Sequence, residues 1–252
     1  MSRRLAALLV LLALSARTQA DVPANETRKP PEPANARPAK NDDELRAWVD
    51  GGYAVADVPE AVWFEPEPKK PELLYLAHTH VPTTWDRRKV SLDPLEWKRH
   101  KDGSLTLERT LPNKVTLVSK VVAGKDGVRM EFRVANGSNE KLIGLRIQMC
   151  VMLAGLTGFE KQTNDNKVFA SPFAACKDAT GKRWVITGWE RCGRAWGNPP
   201  CPCLHADPVV EDCPPGESRS VRGWLSFHEG TDIEAELDRL KSSGALPKER
   251  GH

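Results

Sequence analysis

The sequence predicts a mainly β protein, an antiparallel β-sandwich or supersandwich with a short N-terminal helix and a C-terminal helix. Three observations carry this. From about Ala61 the apolar residues recur with a period of two, and Gly, Pro and Asn turn signals separate the alternating segments. About ten such segments fall within roughly 170 residues, too closely spaced for the crossovers that a parallel sheet needs.

The first residues stand apart from that pattern. Arg3 and Arg4 precede an uninterrupted apolar run, LAALLVLLAL, and Thr18-Gln19-Ala20 offers small residues for cleavage. An apolar run this short falls well below the roughly 20 residues of a membrane span, so residues 1–20 read as a signal peptide. The protein is therefore expected to be secreted or periplasmic, with no transmembrane segment. Residues 21–40, DVPANETRKPPEPANARPAK, are rich in proline and poor in large apolar side chains, and read as a disordered linker. Residues 41–246 are expected to form one β-sandwich domain with its flanking helices. The chain has 37 basic and 34 acidic side chains. Arg3, Arg4 and Arg17 of the leader account for the surplus, so the remainder is neutral. With no concentrated basic face, nucleic acid is not an expected partner.

Each element has its own signal. Asn41 or Asp42 can cap a short helix running to Trp48 or Val49, which Gly51-Gly52 stops. VWF (62–64) and ELLYLAH (72–78) are the first strand candidates. SLTLERTL (104–111), KVTLVSKVV (114–122) and GVRMEFRVA (127–135) alternate cleanly between turn signals. In the last of these Val128, Met130, Phe132 and Val134 share one face, and Arg129, Glu131 and Arg133 share the other. KLIGLRIQMCVML (141–153) is long and apolar, as a central strand covered on both faces would be. Val168-Phe169, KRWVITGW (182–189) and SVRGWLSFHE (220–229) complete the β set. Thr231-Asp232-Ile233-Glu234 has the spacing of a capping box, and Ile233, Leu237 and Leu240 line one face of the helix that follows. Lys241 lies near the negative end of that helix, and Gly244 ends it.

Four constellations could carry chemistry. The chain has six cysteines, an even number that an exported protein can pair. Cys176, Cys192, Cys201, Cys203 and Cys213 are the disulfide candidates. A Cys₃His zinc set of Cys201, Cys203, His205 and Cys213 is the alternative, although the single residue between Cys201 and Cys203 is short for structural zinc. The crosslinked loop is preferred, with no metal and no cofactor expected, and Cys150 reads as a small buried hydrophobe on its strand. Second, His78 and His80 are spaced i, i+2, which on a strand points both to one face; His205 or Asp207 would have to supply a third ligand. Third, Trp196 sits in the Gly/Pro-rich stretch RCGRAWGNPPCPC with Arg191 and Arg194 beside it, and Trp85 follows the paired histidines. Indole faces stack on the C–H surfaces of sugars and the N–H bonds a hydroxyl. Fourth, GFEKQTNDNK (158–167) reads as a solvated polar loop.

The long antiparallel strands, the Trp-, Arg- and His-bearing stretch, and Pro214-Pro215-Gly216-Glu217-Ser218 leading into VRGWLSFHEG resemble the galactose-mutarotase-like supersandwich over roughly residues 60–230. The whole chain also resembles secreted proteins of unassigned function from planctomycete-type bacteria. The first resemblance implies a concave sheet face that binds carbohydrate, and in catalytic members a histidine acid paired with a carboxylate base. His205 with an acidic residue such as Asp207, or His80 with Asp86, would be such a pair here. Three functions follow from this reading. The chain is first a secreted carbohydrate- or polyol-binding β-sandwich that uses His78, His80, Trp85, Arg191, Arg194, Trp196, His205 and Asp207. Alternatively it is a sugar epimerase, mutarotase or lyase working by His–carboxylate acid–base catalysis, or a disulfide- or metal-stabilised structural module.

Overall fold

A computed structural model describes residue 48 and residues 51–246, except 79 and 94. The expected signal peptide and linker lie outside the described residues, as does the expected N-terminal helix apart from Trp48. Among the described residues thirteen strands and two helices follow in chain order. The strands are β1 (Val55–Glu67), β2 (Lys70–Leu76), β3 (Lys98–Arg99), β4 (Leu105–Thr110), β5 (Val115–Ala123), β6 (Val128–Asn136), β7 (Arg146–Met152), β8 (Lys167–Ala170), β9 (Phe173–Lys177), β10 (Arg183–Trp189), β11 (Cys192–Trp196), β12 (Cys203–Pro208) and β13 (Ser218–Glu229). The helices are α1 (Thr84–Arg87) and α2 (Ile233–Ser243).

The protein is mainly β, built from two antiparallel sheets. The larger runs β3-β4-β5-β6-β13-β10-β9-β8 and the smaller β11-β12-β7-β1-β2. Alternation explains how they meet. On β6 the residues Val128, Met130, Phe132 and Val134 are buried while Arg129, Glu131 and Arg133 point away, as the sequence predicts. They join a core shared with Ala56, Val58, Ile147, Met149, Val151, Leu204 and Ala206 of the smaller sheet. Hiding about ten such aliphatic side chains supplies on the order of 15–30 kcal/mol of gross burial free energy, most of it cancelled by chain ordering.

The outer face of the larger sheet has a second cover. Helix α2 lays Ile233, Leu237 and Leu240 onto Phe173, Trp184, Ile186 and Trp224. Its N-cap is Asp232, whose carboxylate accepts from the Ala235 amide, one residue later than the predicted capping box. Gly244 ends it with φ 74°, the left-handed conformation that costs glycine nothing.

Two corrections to the sequence reading bear on the site. Residues 203–208 form the interior strand β12 of the smaller sheet, where the sequence suggested a loop on the rim. Leu204 and Ala206 supply the buried inner face that defines the strand. All six cysteines are free thiols, so none of the disulfide candidates Cys176, Cys192, Cys201, Cys203 and Cys213 is paired. The reason lies in placement. Cys176 is buried in β9, Cys192 lies at the start of edge strand β11, and Cys213 donates to the Glu217 carbonyl beyond β12. Cys203 approaches both Cys150 and Cys201, at hydrogen-bonding rather than covalent separation.

Candidate metal centre

The outer face of the smaller sheet is unlike the core face. Because side chains alternate, the residues between the core positions of β1, β7 and β12 all point the other way. The register then sets Asp57, Cys150, His205 and Trp196 directly opposite one another across β1, β7, β12 and β11. One step along, Cys203 stands opposite Met152. A single row of the sheet therefore carries an acid, a thiol, an imidazole and an indole. The next row carries a thiol and a thioether.

One ligand atom from each of Cys150, Cys203 and His205 lies within 4.8 Å of the other two, and all three residues are buried. The Cys203 sulfur is 3.1 Å from His205 Nε2. On the far side of the ring Nδ1 lies 2.8 Å from the Met149 carbonyl, which can only accept, so Nδ1 carries the hydrogen and Nε2 faces the sulfur. Cys201 closes the group. Its thiol hydrogen-bonds Cys203, and its sulfur is 3.6 Å from the Met152 thioether.

The surroundings fix the imidazole. The Trp196 indole stacks on it with ring centroids 4.0 Å apart and planes 13° from parallel. The Arg194 guanidinium lies 4.1 Å above the indole. Asp207 is occupied at both oxygens: Oδ1 accepts from the Met149 amide at 3.0 Å and Oδ2 from Trp196 Nε1 at 2.7 Å. The β7–β12 ladder ends at the His205–Cys150 pair, and the side chains of His205 and Asp207 take over the backbone groups of Met149 beyond it. Gly197 follows Trp196 where a Cβ would sit 2.5 Å from Asn164 Oδ1, so a larger residue there would displace the Asn164 and Lys167 side chains of the 160–167 loop.

The electrostatics suit a ligand set. Hydrogen bonds from the Cys150 and Cys201 thiols, reinforced by His205, hold the Cys203 thiol far below the usual range despite its burial. Cys150 and Cys201 shift upward, first because their protons are held in those bonds and then by burial. Burial alone would push the His205 imidazole down, but the bond to Cys203 and the charges of Cys203, Glu60 and Asp207 raise it. Glu60, from the irregular stretch of β1 between Asp57 and Ala61, brings Oε2 to 3.6 Å from His205 Nδ1 and accepts from Gln148 at 2.7 Å. Burial is the main cause that raises its carboxyl.

Other residues named from the sequence fall into three places. His78 lies just past β2 and reaches Asp57 at 2.9 Å; His80 is exposed, its ring 6.1 Å from that of His78. Trp85 is core, 3% exposed, with Nε1 donating to the Leu74 carbonyl, so it cannot offer a face to a ligand. Asp86 caps α1 through the Thr83 amide and hydroxyl, which occupies it structurally and separates it from any acid–base pair with His80. Arg191 pairs with Glu211 and the Ser220 carbonyl, away from the thiols. His205, Asp207, Arg194 and Trp196 do come together. Cys213 does not join them; Cys150, which the sequence reading had taken as a small buried hydrophobe, occupies the place it had given to Cys213. Asp57, Glu60, Gln148 and Met152 were not named from the sequence. The alternation of β1 and β7 could have pointed to Asp57, Gln148 and Met152, whereas Glu60 lies in the irregular stretch of β1 that breaks the alternation.

The fold and site thus define a two-sheet antiparallel β protein with a buried thiol–imidazole cluster on the outer face of its smaller sheet. No family model and no curated protein matches the chain. Among solved structures it is similar to the Slr1438 protein of Synechocystis sp. PCC 6803, at 13% identity and a TM-score of 0.42, over 70% of this chain and 78% of that one. It is also similar to a candidate aldose 1-epimerase of Escherichia coli, at 12% identity and a TM-score of 0.41, over 70% and 84%. Likeness at this level transfers no residue and no activity.

Proposed function

We propose that this is an exported protein that binds a thiophilic metal ion through Cys150, Cys203 and His205, with Cys201 as a fourth ligand. The observation that carries the reading is the convergence of two thiols and one imidazole nitrogen, buried together, from two adjacent strands. Thiolate and imidazole are the donors that zinc and copper prefer, and the spacing is one that such an ion spans after a small closure. The second layer is already built. Met149 holds His205 by Nδ1, Trp196 holds it flat, and Asp207 holds Trp196. Bound metal would replace the protons now shared among the three sulfurs and the imidazole, and so join the start of β12 to β7.

The test is a titration of the reduced protein with cobalt(II), whose thiolate complexes absorb in the near ultraviolet. A single bound ion, lost in Cys203→Ser and in Cys150→Ser, is expected. A reduced, folded protein that binds neither cobalt(II) nor copper(I) would sink the reading. For the export half, the secreted chain should begin just after Ala20.

Sugar binding has less support, because both faces of the Trp196 indole are covered and Trp85 is buried. One observation does favour an acid–base alternative. The His78–Asp57 and His205–Glu60 pairs both lie on the same sheet face, and His78 is partly open to solvent. Under that reading the protein would accelerate aldose mutarotation and His78→Asn would abolish it, as polarimetry can follow.

A further inference from the structure

We infer that the ion this centre takes is monovalent copper, an inference that rests on the metal reading above and goes beyond it by fixing the chemical class of the ligand. Three arrangements point there.

The first is the thioether. Met152 stands opposite Cys203 in the sheet, and its sulfur lies 3.6 Å from that of Cys201. A thioether carries no charge and little basicity. It is a poor ligand for divalent zinc and a good one for soft, polarisable monovalent copper. A structural zinc site gains nothing from a methionine sulfur beside its cysteines.

The second is the exclusion of oxygen donors. Both oxygens of Asp207 are held by the Met149 amide and the Trp196 indole. The Glu60 carboxylate accepts from Gln148 and faces the Nδ1 edge of His205, whereas the thiols face Nε2. Asp57, opposite Cys150 in the sheet, is bonded by His78 at 2.9 Å, so each of the three acids close to the centre has a partner other than the thiols. What remains within reach is sulfur and one imidazole nitrogen, the donor set of a soft ion.

The third is the graded exposure. Cys150, Cys203 and His205 are buried, whereas Cys201 and Met152 are half-exposed. The two softest accessible donors therefore form the mouth. Monovalent copper exchanges readily between sulfur ligands, so an ion held by Cys201 and Met152 can move onto Cys203 and Cys150 without passing through water. Trp196 covers His205, with Arg194 over the indole. No electron transfer is involved: the ion arrives and stays monovalent, and the protons of the displaced thiols leave to solvent.

The experiment compares two ions on three proteins. Reduced wild type, Met152→Leu and Cys203→Ser are titrated without oxygen with an acetonitrile-stabilised copper(I) salt against bicinchoninate, and separately with zinc(II) against a chromogenic chelator. Leucine keeps the volume of methionine, and thermal unfolding confirms that each variant is folded. Wild type is expected to hold one copper(I) against bicinchoninate. Met152→Leu should weaken copper by about tenfold or more while zinc changes little. Cys203→Ser should lose both. The copper inference is overturned if Met152→Leu leaves copper binding unchanged, or if wild type yields its copper to the chelator but retains zinc; either result leaves the metal reading standing. If neither ion binds, the metal reading falls as well.

Discussion

The His205 imidazole lies flat beneath the Trp196 indole, with ring centroids 4.0 Å apart and planes within 13° of parallel. The same indole reaches past it to bond Asp207, which in turn holds the Met149 amide, while His205 itself holds the Met149 carbonyl. The four residues form a closed ring of contacts that fixes which nitrogen of His205 faces the thiols.

That ring can be opened one contact at a time. Trp196→Phe keeps the stacking surface and removes the N–H bond to Asp207, leaving a carboxylate oxygen without its hydrogen-bond donor. A loss of about 1.5–3 kcal/mol in urea unfolding is expected. Trp196→Ala uncovers His205 too and should cost more. Equal stabilities for wild type and Trp196→Phe would mean that the indole N–H contributes nothing.

The six cysteines should separate into two classes. Ser substitution at Cys150, Cys201 or Cys203 should weaken or abolish cobalt(II) binding, and substitution at Cys176, Cys192 or Cys213 should leave it intact. Absorbance titration of the six variants checks this. Retained binding in Cys150→Ser, together with loss in Cys213→Ser, would restore the ligand set that the sequence alone suggested.

Accessibility adds an independent readout. Cys192 and Cys201 are half-exposed and the other four thiols are buried. Brief alkylation of the native protein, mapped by mass spectrometry, should therefore label Cys192 and Cys201 first. Metal should protect Cys201 and leave Cys192 reactive. Protection of both would indicate general tightening of the fold rather than ligation.

Acid should weaken the turn between β9 and β10. Burial alone would raise the Asp178 carboxyl, but the Thr180 hydroxyl and the Lys182 and Arg183 amides all donate to it, and together they hold it below the usual aspartate range. The folded state thus prefers the ionised form more than the unfolded chain does. That preference contributes its full stability above the unfolded value near pH 4, and it is lost as pH falls through the lower, folded value. The stability gap between wild type and Asp178→Asn should be constant from pH 7 to about pH 5 and shrink below about pH 4. A gap that widened in acid would reverse the sign.

Helix α2 is anchored by few side chains, so one deletion should be felt. Leu240, 1% exposed, packs in the cluster with Trp184, Ile186 and Trp224. Leu240→Ala should cost about 2–5 kcal/mol in denaturant unfolding. A cost under about 0.5 kcal/mol would show that the helix is dispensable to the larger sheet.

Much of the architecture was legible locally. The alternation in 127–135 and 114–122 became β6 and β5 within a residue of the expected ends, and Ile233, Leu237 and Leu240 proved to be the buried stripe of α2. Residues 203–208 were missed although Leu204 and Ala206 alternate with Cys203, His205 and Asp207. Cysteine, histidine and proline drew attention to chemistry, and the strand pattern beneath them was passed over. Cys150 was missed for the opposite reason. Set among apolar neighbours on β7 it read as filler, when its face is the one turned away from the core.

From its own pattern the chain determines the two-sheet β character, the turn positions and the apolar stripe of the last helix, because these depend on the period of side chains along a single segment. The membership of the site was decided only by the tertiary structure. Cys150 and His205 lie far apart in the chain and meet because β7 and β12 pair in one register; a slip of one residue would turn one of them into the core and leave the other without a partner. Register belongs to the packing of whole sheets, and no single segment encodes it.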